Sequence, residues 1–137
     1  GAPLAVAAID LDDFKQINDS AGHAAGDRLL ATLASDWRAR MRPGDILARH
    51  GGDEFVLLLP STSELEAEAA LARLRGEEEL VGWSVGISEW LRGEELSAVL
   101  ARADTRLYEA KLAKPRHSLD RGGHSLGRLA AARAMSG

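Results

Sequence analysis

Two acidic clusters stand out as residues able to do chemistry. Asp10, Asp12 and Asp13 follow the apolar run Leu4 to Ile9, and Asp53 and Glu54 follow Gly51-Gly52. Adjacent carboxylates offer hard oxygen ligands to Mg²⁺, and glycines let a bulky anion approach the backbone. Lys15, just past the first cluster, places a cation where phosphate oxygens could meet it. Joined, these groups suit phosphoryl chemistry on a nucleotide held over a metal. Taken singly, each has a plainer explanation: a solvated strand end with helix caps, and an ordinary glycine turn. An EF-hand is excluded, because its sixth position counted from Asp10 is Lys15 and its twelfth is Ala21.

The clusters work together only if the chain folds them to one edge. Leu4 to Ile9 is continuously apolar and predicts a central strand with acids at its carboxyl end. Phe14 to Asn18 reads as a short helical turn and Asp19 to Gly26 as a loop. A helix follows with Leu29, Leu30, Leu33, Trp37 and Met41 on one face, ended by Pro43-Gly44. Ile46 to Arg49 and Phe55 to Leu59 flank Gly51-Gly52 as a hairpin. Ser63 and Glu66 predict a capping box for a helix to about Arg75, with Leu65, Ala69, Ala72 and Ala67, Leu71, Leu74 on its two apolar faces. Gly76 to Glu79 is a polar connector. Val81 to Ser88 predicts a strand, with Trp83 and Trp90 packing at its flanks. Leu96, Val99, Leu100, Ala103, Leu107 and Ala110 predict a long helix stopped by Pro115. The expected fold is therefore α/β (α+β): a palm-like, ferredoxin-type mixed sheet flanked by helices. Residues 114–137 read as a weakly structured tail, with a possible short helix from Leu126 to Met135.

The 137 residues fit one domain, with no cysteine and a net charge of −4. Disulfides, zinc ribbons and thiol nucleophiles are excluded, and the acidic balance argues against nucleic-acid binding. No apolar run approaches the ~20 residues of a membrane span, so no membrane contact is expected and a reducing cytoplasm is the default setting. The chain opens on Gly1 rather than methionine, which suggests a fragment or a cleaved product.

Five ordered blocks resemble one family. Gly51-Gly52-Asp53-Glu54-Phe55 is the signature of GGDEF domains, the diguanylate cyclases. Asp10-Leu11-Asp12, with Phe14-Lys15-x-Ile17-Asn18-Asp19 and Gly22-His23-x-x-Gly26-Asp27, looks like the family's upstream block. Ser84 to Ser88 resembles its late strand, and Ala103-Asp104-x-x-Leu107-Tyr108-x-Ala110-Lys111 its last helix. The domain would span 1–113, without the Asp-x-Leu-Thr-Gly-Leu-x-Asn-Arg segment that normally precedes the first strand. After Lys111 the usual Gly-Arg-Asn is replaced by Lys114-Pro115-Arg116.

The resemblance implies condensation of two GTP into cyclic di-GMP and two pyrophosphates, by a homodimer with one GTP per protomer. Asp10, the Leu11 carbonyl, Asp53 and Glu54 would hold Mg²⁺ or Mn²⁺, and Asp53 would act as base toward the ribose 3′-hydroxyl. Asn18 and Asp27 would read guanine, and Gly51 and Gly52 would leave room for the nucleotide. Lys15, Lys111 and the backbone at Asp13 and Phe14 would meet phosphates. Arg42-x-x-Asp45, five residues before the signature, resembles a product-inhibition site, with Arg73 as a second cation. An upstream sensory domain is expected. The alternative is an inactive module that binds GTP or cyclic di-GMP as a sensor. His23 resembles a loop residue of structural role.

Overall fold

The computed structural model describes residues 2–75 and 81–114. Its elements are β1 (Leu4–Leu11), α1 (Phe14–Ala21), α2 (His23–Arg40), β2 (Ile46–Gly51), β3 (Glu54–Pro60), α3 (Glu64–Arg75), β4 (Trp83–Glu89) and α4 (Leu96–Ala113). The four strands form one sheet in the order β2-β3-β1-β4. This is the expected α+β palm flanked by helices. The sheet is antiparallel throughout rather than mixed. The reason is topological. Both helical crossovers, β1 to β2 and β3 to β4, skip one strand position, so the parallel pairs are never neighbours.

β1 is central, and its side chains alternate between two cores. Ala5, Ala7, Ile9 and Leu11 face α1, α2 and α3, packing with Phe14, Ile17, Leu29, Leu33, Trp37 and Leu71. Val6 and Ala8 face α4, packing with Val99, Ala103 and Leu107. Period-two alternation therefore sends Asp10 and Asp12 to the α4 side. On β4, Ser84, Gly86 and Ser88 share that side and are buried. Small residues are required there, because a Cβ on Gly86 would lie 2.0 Å from the Ala103 carbonyl oxygen and 2.3 Å from the Leu107 nitrogen. No side chain fits at that crossing.

Three local expectations are corrected. The segment from Asp19 to Gly26 is helical except at Gly22, whose φ of 90° separates α1 from α2. Two glycines suggested a loop, but Gly26 is an interior helix residue kept small for a neighbour described below. In α3 only the Ala67, Leu71, Leu74 face is buried, while Leu65 is 76% exposed. Trp83 is buried, but Trp90 is partly exposed and donates its indole N–H to the Glu94 carbonyl, closing the β4–α4 turn. The Ser63 capping box forms as expected, with reciprocal bonds of 3.0 and 3.2 Å between Ser63 and Glu66. The connector at 76–79 and the tail from Pro115 onward, with its possible helix, lie outside the described residues, while Lys114 at the start of that tail is held by Asp12 and the Trp83 carbonyl. No described helix is long and apolar enough to cross a membrane.

Candidate active site

The two acidic clusters meet where sheet geometry requires. Asp10 pairs in register with Glu54, and the Leu11 N–H donates to the Asp53 carbonyl at 3.2 Å. The hairpin tip is thereby stitched to the end of β1. Gly51 and Gly52 have φ of 144° and 43°, which favours glycine at both positions, and a Cβ on either would meet nothing within 4 Å. The space above the hairpin is open. Arg49 braces the turn by donating Nε–H to the Gly52 carbonyl at 2.9 Å.

Asp10 is the electrostatic centre. Burial and the adjacent Asp53 carboxyl raise its pKa from 3.8 to about 6, against the opposing pull of Lys111. Lys111 reaches across from α4, with Nζ 2.9 Å from Asp10 Oδ2. The other oxygen, Oδ1, is buried without a hydrogen-bond partner. Two charged carboxylates cannot donate to each other, so the Asp10 carboxyl sits beside like charge and its Oδ1 lacks a donor. A cation bound there would relieve both defects. Among the described residues no three His, Cys, Asp or Glu side chains form a complete cage. The pair Asp10 and Asp53 thus fits a hard cation as part of a ligand set that backbone and substrate oxygens must complete.

Among the described residues, the other buried side-chain oxygen without a partner belongs to Asn18. Its carboxamide lies against Gly26, where a Cβ would come within 1.9 Å of Oδ1 and 3.1 Å of the Phe14 ring. Asp27 follows, exposed on α2. The orphaned oxygens thus sit on one residue expected to hold the metal, Asp10, and one expected to read guanine, Asn18. Asp13 adopts the left-handed conformation (φ 58°) and starts α1 without a side-chain cap. The N–H groups of that first turn, including those of Phe14 and Lys15, are therefore left for another acceptor. Lys15 is exposed on the same turn.

Arg42 and Asp45 form a separate node. The Arg42 N–H donates to Asp45 Oδ2 at 2.9 Å, and its guanidinium lies 3.8 Å from Oδ1. The same guanidinium donates to the hydroxyl of buried Thr62 at 2.6 Å. Arg73 is exposed on α3 and makes no hydrogen bond or ion pair with either residue. Arg40, bonded to the Leu74 carbonyl at 2.9 Å, brings the ends of α2 and α3 together beside this node. Thr62 escaped the sequence reading, as did the partners of Asp12. Ser84 Oγ donates to Asp12 Oδ1 at 2.9 Å and Lys114 Nζ to Oδ2 at 2.5 Å. The three-residue spacing of Lys111 and Lys114 is the signal that could have revealed the latter.

Fold and site together define an antiparallel α+β palm with paired carboxylates set against a glycine hairpin. The chain belongs to the GGDEF family: the model described as diguanylate cyclase, GGDEF domain, matches residues 1–117. It is 43% identical over 124 residues to the diguanylate cyclase DgcP of Pseudomonas aeruginosa, covering 82% of this chain and 18% of that protein. Among solved structures it is similar to diguanylate cyclase SiaD from the same species, in complex with its activator SiaC. That match has a TM-score of 0.77 and 40% identity, covering 82% of this chain and 48% of that one. The GGDEF domain of DgcB from Caulobacter crescentus, in complex with c-di-GMP, gives a TM-score of 0.74 at 30% identity, covering 82% and 74%. The chain therefore spans a small part of the curated relative's length.

Proposed function

We propose that this domain is a diguanylate cyclase, condensing two GTP into cyclic di-GMP with release of two pyrophosphates. The carrying observation is the partly buried Asp10 carboxylate, orphaned at Oδ1, beside Asp53 and paired in register with the hairpin whose two glycines leave open space. Asp10, Asp53, the Leu11 carbonyl and Glu54 would hold Mg²⁺ or Mn²⁺, which neutralises phosphate charge and acidifies the attacking hydroxyl. Asp53 takes the proton of the ribose 3′-hydroxyl. Lys15, Lys111 and the α1 amides hold the triphosphate, while Asn18 and Asp27 read guanine. One domain binds one GTP, so two protomers face each other to align each hydroxyl with the other's α-phosphate. The cytoplasmic setting and an upstream sensory segment belong to the same reading.

Incubation with GTP and Mg²⁺ at high protein concentration, with products resolved by chromatography, tests this. Cyclic di-GMP and pyrophosphate are expected; bound but unconverted GTP would make the domain a sensor instead. Replacement of Gly26 by alanine should push the Asn18 carboxamide out of place and raise KM for GTP roughly tenfold. It should also narrow the preference for GTP over ATP, measured as the ratio of kcat/KM. An unchanged ratio would remove Asn18 from guanine recognition.

We assign product inhibition to Arg42 and Asp45, with Arg73 as a second cation from α3. The Arg42 guanidinium is braced by the Thr62 hydroxyl, yet the side chain is 54% exposed and accessible to a phosphate. The variant Arg42→Ala should need at least about tenfold more cyclic di-GMP for half-inhibition, a charge-assisted contact being lost. Inhibition curves that superimpose on the parent would exclude the site.

A further inference from the structure

The α4 end approaches β1 through two lysine–aspartate rungs that are not equivalent. β4 runs antiparallel to β1, and α4 returns from it, so α4 and β1 finish at the same sheet edge. Asp12 follows Asp10 just past the end of β1, and Lys114 is the extended C-cap of α4, three residues beyond Lys111. Lys111 meets Asp10 and Lys114 meets Asp12.

The outer rung is closed. Lys114 Nζ also donates to the Trp83 carbonyl at 2.8 Å, and the second Asp12 oxygen accepts from Ser84. The Asp12 N–H donates to the Gly82 carbonyl at 2.8 Å, where a Cβ on Gly82 would press within 3.1 Å of Asp12 Oδ2. Both Asp12 oxygens are thus satisfied. The inner rung is open, because Asp10 keeps Oδ1 without a partner. Among the described residues Lys111 is held by Asp10 Oδ2 alone and can exchange it for another anion's oxygen, whereas Lys114 is held by both Asp12 and the Trp83 carbonyl.

We infer that Lys114 is a positioning residue, a latch that pins the last turn of α4 so that Lys111 stays over the site when it exchanges Asp10 for a substrate phosphate. This rests on the GTP-binding reading above. Lys114 caps the helix at the point where it would otherwise fray, one turn from Lys111. Without the latch the helix end would wander and Lys111 would pay ordering entropy at each binding event.

The test compares the parent chain with Lys114→Met, which keeps the aliphatic stem, and Lys114→Arg, which keeps the charge. Titration calorimetry with a non-hydrolysable GTP analogue, steady-state kinetics and thermal melting are read on all three. Lys114→Met should raise the analogue Kd and the KM for GTP roughly three- to tenfold, with kcat within about twofold. Lys114→Arg should restore most of the loss. A lowered Tm with unchanged Kd and KM would make the contact structural only and overturn the latch. Equal weakening in Met and Arg variants would overturn it as well. A parent chain that neither binds nor converts GTP would bring down the functional reading, and the latch with it.

Discussion

Asp53→Ala should abolish product formation, lowering kcat by at least about 10²- to 10⁴-fold, the range for loss of a positioned general base. The residue is assigned both metal ligation and proton abstraction, so its loss should not be rescued by more GTP. The fold should survive, because the hairpin is held by groups the substitution leaves intact. The Leu11 N–H bonds the Asp53 backbone carbonyl, not its side chain, and Arg49 braces the Gly52 carbonyl. Removing Asp53 also removes one of the influences that raise the Asp10 pKa. The variant should therefore melt no lower than the parent at neutral pH. Chromatographic assay of cyclic di-GMP, with thermal melts of both proteins, checks the two halves together. Turnover within tenfold of the parent would dismiss Asp53 from the chemistry, and a melt far below the parent would make the loss uninterpretable as catalysis.

What was legible in the sequence is what depends on short-range pattern. β1 announced itself because both of its faces are buried, and the hairpin because two glycines separate two strand runs. The Ser63 capping box needed only four consecutive residues. What was not legible depends on contacts across the sheet. Asp12 and Asp10 look alike in sequence, yet Asp12 is committed to Ser84 and Lys114, far along the chain. Gly26 looked like a loop glycine because nothing local shows that its missing side chain is space for Asn18. The antiparallel sheet was hidden because strand neighbours follow from which strand a crossover skips, a choice made by packing of the whole chain.

Asp10→Asn should stabilise the ligand-free domain at neutral pH while removing its activity. The folded-state pKa of Asp10, about 6, stands above its ordinary 3.8, so the native state holds this proton more tightly than the unfolded chain does. Stability from this group is complete below pH ~4 and is lost as pH rises to ~6, after which the deficit is constant. A shift of about two pKa units corresponds to roughly 3 kcal/mol, an upper figure for a strongly interacting group. Asparagine carries no such deficit but leaves Lys111 without its anion, so a net gain of roughly 1–2 kcal/mol at pH ~7 is expected. Urea melts of parent and variant between pH ~4 and ~8 give a difference curve that cancels the other carboxylates. It should be smallest near pH ~4 and widen until pH ~6. A flat difference curve, or a less stable variant at neutral pH, would show that Asp10 is not held at a cost. Burial is the largest cause of that cost, and Asp53 adds to it. Both are features a bound cation would turn to advantage, since metal ligands must be deprotonated and a buried negative pair attracts charge strongly. Metal-dependent nucleotide affinity should accordingly climb more steeply as pH rises through about 6 in the parent than in Asp10→Asn.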